Sequence, residues 1–174
     1  DDPYVLVAVG SIKGEEQSKM CPELASQLID VNFRNVVVLI TPIAEALKQK
    51  KKGCIMIISS VSGDRGRQSN YVYGSAKAGL STYAQGLRNR LFSSGVHVLT
   101  VKPGYVDTKM LREALGDNYD RIPGFLIGDP DKVGQRIYRA AMRRENIVYV
   151  QPIWKLLMCM IRMIPESIFK RLRL

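Results

Sequence analysis

At 174 residues, with 46% hydrophobic and 24% charged side chains, the chain has the composition of one globular domain able to bury a core. Its 26 Lys and Arg against 16 Asp and Glu give a formal charge of +10, which favours anionic partners such as phosphorylated cofactors, phospholipid surfaces or nucleic acid without choosing among them. Cys21, Cys54 and Cys159 are scattered and form no Cys-x-x-Cys pair, which argues against a disulfide framework or a zinc site and fits a reducing compartment. A single histidine, His97, leaves no set for a metalloenzyme or a histidine-based hydrolase. No N-terminal signal pattern is present, and no charge-free apolar run reaches transmembrane length.

The chain opens on Tyr4-Val5-Leu6-Val7-Ala8-Val9-Gly10, a β-rich apolar run closed by glycine that predicts a buried strand of a parallel sheet. No glycine-rich turn that cradles a dinucleotide pyrophosphate precedes it, and Gly10 and Gly14 have the wrong spacing to replace one. Residues 13–22 are polar and predict a loop. A helical pattern then runs from Pro22 to about Gln49 through Leu24, Leu28, Val31, Val36, Leu39, Ile43 and Leu47. Asn32 sits in its middle, where asparagine is helix-neutral at best and invites a reason. Pro42 predicts a bend, because its ring removes a backbone donor. Lys48, Lys50, Lys51 and Lys52 before Gly53 read first as a helix end whose cations offset the macrodipole, and otherwise as a nucleic-acid patch.

Residues 54–58 predict a second buried strand, ending in Ser59-Ser60. Tyr73 follows Ser60 by 13 residues and precedes Lys77 by four. If Tyr73 opens a helix, Lys77 lies one turn along the same face. An ammonium there favours the phenolate and brings the tyrosine pKa down toward the working range. Ser60 would hold a substrate carbonyl while Tyr73 exchanges the proton, which is general acid–base chemistry beside a hydride transfer. By itself the Tyr-x-x-x-Lys spacing is also that of an exposed helical pair. Tyr71 competes with Tyr73 but has Ser75, not lysine, four residues on. Arg65 and Arg67 read either as solvated loop residues or as a clamp for a phosphoryl group of the substrate.

The helix predicted from Tyr73 to Phe92 carries Ala76, Leu80, Tyr83, Ala84, Leu87 and Leu91 at core spacing, with Arg88 and Arg90 at its end. Its small residues Gly74, Ser75, Ala76, Ala78 and Gly79 permit close packing, on its own sheet or on another helix. Residues 96–101 predict the next strand, with His97 structural inside it. Pro103-Gly104-Tyr105-Val106-Asp107-Thr108 then turns the chain outward at the sheet edge where open α/β folds bind ligands. Residues 109–130, broken by Gly116, Pro123 and Gly128, predict a mobile substrate lid. A helix over 131–144 and a short strand over 147–150 follow.

Together, the Ile-Ile-Ser-Ser strand end, the Tyr73/Lys77 pair and Val101-Lys102-Pro103-Gly104 resemble the short-chain dehydrogenase/reductase family, from Tyr4 to about Val150. The resemblance implies an α/β, Rossmann-like doubly wound parallel sheet whose first strand–helix units are missing, on the order of 70 residues at ~30 per unit. Residues 1–150 would be the C-terminal two thirds of that NAD(P)-binding domain. It implies Asn32, Ser60, Tyr73 and Lys77 as the catalytic tetrad, with Asn32 bending its helix and holding a proton-relay water. Gly10, Pro103, Gly104, Val106 and Thr108 would flank the nicotinamide, and Tyr73 and Lys77 would meet its ribose. The asparagine of the family's Asn-Ala-Gly strand end is lost in Ala8-Val9-Gly10. NADPH and NADH stay undecided, and a homo-oligomer joined through the Tyr73–Phe92 helix is implied. The expectation is therefore an NAD(P)H-dependent carbonyl reductase with no metal and no nucleic-acid partner. The alternative is a truncated, non-catalytic piece that binds a membrane or a partner chain.

The tail, residues 151–174, changes character. Trp154, Leu156, Leu157, Met158, Met160, Ile161, Met163 and Ile164 are apolar nearly all round, and Lys170, Arg171 and Arg173 follow Pro165. About 12 residues before that proline are too few to span a bilayer. The tail reads as an interfacial membrane anchor or as an arm over the cleft, in a cytoplasmic protein at most peripheral to a membrane. Its sequence, with that of the 63–77 loop and helix, resembles a branch of the family acting on a 2-keto sugar carried by a polyprenyl phosphate.

Overall fold

The computed structural model describes residues 2–172. In chain order the main elements are β1 (Tyr4–Val7), α1 (Glu15–Ser18), α2 (Pro22–Ile29), α3 (Asn35–Lys50), β2 (Cys54–Ile58), α4 (Tyr71–Leu91), β3 (His97–Lys102), β4 (Tyr105–Val106), α5 (Lys109–Leu115), β5 (Ile127–Gly128), α6 (Pro130–Met142), β6 (Ile147–Tyr149), α7 (Pro152–Met163) and α8 (Glu166–Phe169). Four strands form a sheet in the order β1-β2-β3-β6. Every neighbouring pair is parallel, with Val7 opposite Ile57, Ile58 opposite Val101, and Val101 opposite Val148. The Rossmann-like architecture read from the sequence is therefore present. β4 and β5 pair separately, beyond the end of the main sheet.

Continuous aliphatic runs such as Cys-Ile-Met-Ile-Ile make β2 and β3 buried on both faces, as parallel strands require. On one face, Ile55, Ile57 and Val98 pack with Val36, Ile40, Leu80, Ala84 and Leu91 from α3 and α4. On the other, Met56, Leu99, Val101 and Val148 pack with Ala140 and Ala141 of α6. Each fully buried aliphatic side chain contributes about 1.5–3 kcal/mol relative to exposure, so this double layer supplies most of the stability. β1 shows the period of two: Val5 and Val7 join the α3/α4 layer, whereas Tyr4 and Leu6 are about half exposed.

Three local expectations change. The loop foreseen over 13–22 contains α1, entered through Gly14 at φ 87. The long helix is continuous in path but divided by a wide π-helical turn, Asp30–Arg34, centred on Asn32. Pro42 lies inside α3 without ending it. α4 begins at Tyr71, two residues earlier than expected. By length and composition, residues 22–50 would suffice to cross a membrane, but Val36, Ile40, Ala44 and Leu47 are spent on the sheet.

The apolar tail is not a free arm. α7 lays Trp154 and Met158 into a third cluster with Val61, Tyr105, Leu126 and Tyr149. The Trp154 indole stands edge-on to Tyr105, with ring centroids 5.2 Å apart, and its Nε1 donates to Leu126 O at 3.1 Å. Arg173 and Leu174 lie outside the described residues.

Candidate active site

The C-terminal ends of β1, β2 and β3 open into one cavity of about 370 Å³. Its lining brings together Gly10, Ser60, Arg67, Tyr73, Lys77, Pro103, Gly104, Val106 and Thr108, residues spread over a hundred positions of sequence. The rest is mostly apolar, including Ile12, Val61, Met110, Leu111 and Trp154. α5, from the segment expected to be a lid, supplies Met110, Leu111 and Ala114 to one wall.

Ser60 and Tyr73 meet because the end of β2 is pinned to α4. Ser59 Oγ donates to the Lys77 carbonyl at 2.9 Å and shares a 2.7 Å bond with Ser81 Oγ. One turn of helix separates Tyr73 from Lys77, whose Nζ lies 5.7 Å from the Tyr73 ring centroid. Lys77 is 2% exposed, and its Nζ donates to the carbonyls of Val9 (3.3 Å) and Ile58 (3.2 Å). Burial disfavours the ammonium and pushes its pKa down to about 8.

The expected fall in the Tyr73 pKa is reversed here. Burial raises it, the neighbouring Ser60 hydroxyl lowers it, and the negative charge of Glu15 raises it again. Desolvation of the phenolate outweighs the Ser60 hydrogen bond that favours it.

Asn32 does not face solvent. It is fully buried; its Nδ2 donates to Leu28 O (2.9 Å) and Ser11 O (2.7 Å), and its Oδ1 accepts from Ser11 N (3.0 Å). The side chain thus replaces helix bonding where the α2–α3 path widens, and ties that turn to the loop after β1. A Cβ on Gly10 would lie 2.9 Å from both Asn32 Oδ1 and Lys77 Nζ, so glycine is needed for these two groups to sit against the strand end.

Arg65, read either as a solvated loop residue or with Arg67 as a phosphoryl clamp, is corrected by the structure on both counts: it is absent from the cavity lining and reaches α7. Its Nη1 donates to the carbonyls of Ile161 and Ile164, each at 2.6 Å, and its Nη2 to Glu166 at 2.9 Å. The guanidinium also stacks 3.7 Å from the Phe169 ring centroid. It therefore caps the carbonyl end of α7 and holds that helix over the site. These partners lie about a hundred residues downstream, beyond the reach of local pattern. Arg67 does line the cavity, with Nη2 donating to Ser62 Oγ at 2.9 Å.

The sequence reading missed three contributors. Trp154 closes the cavity so tightly that a Cβ on Gly104 would fall 2.0 Å from its Nε1. Glu15 accepts the main-chain N–H groups of Val72 and Tyr73. Asp64 is buried with Lys102, and its Oδ2 accepts from Tyr149 Oη at 2.7 Å. Only Glu15 offered a local hint, as one of two adjacent acids after a glycine.

The site fits a nicotinamide nucleotide on its own features: a glycine strand end that brings backbone close, a buried lysine, and a largely apolar wall at the carboxyl edge of a parallel sheet. Among the described residues no cluster of three His, Cys, Asp or Glu side chains is placed to hold a metal ion.

The comparisons agree with this geometry. An oxidoreductase of Streptomyces coelicolor is 30% identical over 172 residues, which cover 99% of this chain and 65% of the relative. The acetoacetyl-CoA reductase of Synechocystis is 30% identical over 133 residues, covering 74% of this chain and 55% of that protein. The chain thus spans less than two thirds of the length of these relatives. Among solved structures, a short-chain dehydrogenase from Burkholderia cenocepacia in complex with NADP superposes with a TM-score of 0.79 at 18% identity, covering 97% of this chain and 68% of that one, a likeness of fold. The family model for short chain dehydrogenases matches residues 4–118, and the chain belongs to that family.

Proposed function

We propose that the chain carries the catalytic part of an NAD(P)H-dependent carbonyl reductase. The observation that carries the reading is the convergence of Ser60, Tyr73 and Lys77 on one cavity at the carboxyl edge of the sheet, with Asn32 locked behind them. A bound nicotinamide would supply the hydride. The residues do the rest. The Ser60 hydroxyl orients the carbonyl oxygen, and Tyr73 Oη delivers a proton to it. The Lys77 ammonium disperses the charge left on the phenolate and donates to the nucleotide ribose. Asn32 holds the loop after β1 and hence Gly10 at the nicotinamide, and relays the replacement proton through water. Pro103, Gly104, Val106 and Thr108 form the facing wall.

For the substrate we propose a ketone on a long apolar carrier. The wall of Ile12, Val61, Met110, Leu111 and Trp154 supports this. The sharper version is the lipid-linked 2-keto sugar of the reductase component of decaprenylphosphoryl-ribose 2-epimerase, supported by the resemblance of the tail. A cytoplasmic location and a homo-oligomer along α4 belong to the same proposal, the latter supported by exposed Phe92 and by Val38 and Leu39 on the adjoining α3. The test is fluorescence titration with NADPH and NADH on the complete protein, followed by ketone-dependent NAD(P)H oxidation. Binding of one nucleotide together with turnover is expected, and binding of neither overturns the reading.

A membrane-surface role is the second reading, supported by one observation. α7 splits its apolar residues: Trp154 and Met158 pack inward, while Leu156, Met160 and Met163 stay exposed at i, i+4 and i+7, flanked by Lys155 and Arg162. Exposed Ile168 and Leu172 extend that surface, and basic flanks suit an anionic bilayer. Co-sedimentation with phosphatidylserine vesicles but not phosphatidylcholine vesicles is expected, and Leu156→Glu with Met163→Glu removes it. Equal partitioning with both vesicles, or with neither, eliminates this role.

A further inference from the structure

α4 is 21 residues long and presents its unsatisfied amides, and the positive end of its dipole, at the residue proposed to transfer the proton. The residue at the helix start is Asn70, a type that ordinarily caps with its own side chain. It makes no such bond. The cap comes instead from 55 positions upstream. Glu15 Oε1 accepts from Val72 N at 3.0 Å, and Oε2 accepts from Tyr73 N at 2.9 Å.

This carboxylate is 6% exposed, and the partners holding it are main-chain amides. Its neighbour Glu16 shows the contrast. Glu16 is exposed and pairs with Lys19 on the surface at 2.5 Å. Two adjacent acids of the same charge thus have different duties: one is solvated, the other is buried against the helix that carries the tyrosine.

Glu15 is itself held in place. Its carbonyl accepts from Ser18 Oγ at 2.6 Å, and Gly14 at φ 87 turns the chain into α1. Four residues earlier, Ser11 is clamped on both main-chain groups by Asn32. The segment from Gly10 to Glu15 is therefore a strap with three attachments: Gly10 against Lys77, Ser11 on Asn32, and Glu15 on Tyr73. It ties the end of β1 to the tyrosine.

We propose that Glu15 is a positioning residue for Tyr73, fixing the backbone of the proton donor from the β1 strap. The inference rests on the carbonyl-reductase reading above only for what that proton does. The charged groups that face Tyr73 are Lys77 on its own helix, Arg67 across the shared cavity, and Glu15 from the strap, with the Tyr105 phenol also in the cavity lining. Glu15 is the anion of the set. Its removal leaves two cations and an uncapped helix end, both of which favour phenolate.

The test compares Glu15→Gln, Glu15→Asp and Glu16→Gln in the complete protein. In Glu15→Gln, the Tyr73 phenol, followed by ¹³Cζ resonance and assigned with Tyr73→Phe, is expected to titrate at lower pH than in the parent. Exchange of the Val72 and Tyr73 amides is expected to accelerate about tenfold or more, since an amide oxygen accepts only in place of one of the two carboxylate bonds. Ketone turnover is expected to fall in kcat more than in KM. Glu15→Asp restores the phenol titration in part, and Glu16→Gln, which removes the same charge from the surface, changes none of these. The inference is overturned if Glu15→Gln lowers only the melting temperature and leaves phenol titration and amide exchange as in Glu16→Gln. A shifted phenol and exposed amides in a protein that reduces no ketone would uphold the Glu15–Tyr73 coupling and sink the reductase reading instead.

Discussion

Replacing Tyr73 with phenylalanine is expected to lower ketone turnover by about 10²–10⁴-fold, the range lost when a positioned general acid is removed, with NADPH binding largely intact. The ring fills the same space and only the hydroxyl is gone, so kcat falls and nucleotide affinity does not. The pH dependence of the parent adds a second signature. The Lys77 ammonium, pushed down to about 8 by burial, is present below that pH and lost above it. Without the cation the Tyr73 phenolate is less stable and the phenol a weaker acid, so reductive kcat/KM declines as pH rises past about 8. A stability effect accompanies it with the opposite sense. The folded pKa of about 8 lies below the ordinary 10.5, so burying the charged lysine costs stability at pH 7. That cost is relieved as pH rises from about 8 to 10.5, and unfolding free energy from this group increases over that window. Turnover by Tyr73→Phe above a tenth of the parent rate would falsify the assignment of the proton donor.

The strands and the parallel sheet type were legible because doubly covered strands are continuous aliphatic runs, as in Cys54–Ile58. Ser60, Tyr73 and Lys77 were legible because one strand end and one helical turn set their spacing, and local geometry carries that much. The contacts that hold the site were not. Arg65 looked like a loop residue free to grip a substrate, yet its partners are the carbonyls at the end of α7, which no local pattern announces. The start of α4 was read two residues late, at Tyr73, and the side chain that caps it, Glu15, comes from the other side of the chain fold. The tail was ambiguous between an anchor and an arm because its apolar residues surround the helix. Its inner half covers the cavity through Trp154, while its outer half stays exposed. Local spacing therefore found residues that meet in one cavity, and long-range polar contacts determine how they are held.

The largest stability effect is expected at Asp64, a residue no motif marks. Its side chain is 2% exposed and paired with Lys102 Nζ, itself 9% exposed at the end of β3, and it accepts the Tyr149 hydroxyl. The pair joins the loop after Ser60 to β3 and β6, and so fixes the segment from which Arg65 reaches α7. Asp64→Ala leaves a buried ammonium without its anion, which costs about 3–5 kcal/mol, whereas replacing both partners by apolar groups is often neutral. For a chain of this size the loss corresponds to roughly 6–20 °C in melting temperature. Asp64→Leu combined with Lys102→Met is expected to recover most of it, because neither charge then remains to be desolvated. Urea denaturation with unchanged slope gives the comparison, a shifted midpoint at constant m marking stability alone. A loss below about 1 kcal/mol in Asp64→Ala would place the pair with ordinary surface ion pairs and remove its role in holding the loop. If the double replacement restores stability but not turnover, the pair acts on function by aiming the Ser60–Arg65 segment; if it restores both, packing alone suffices to hold that segment in register with Tyr73.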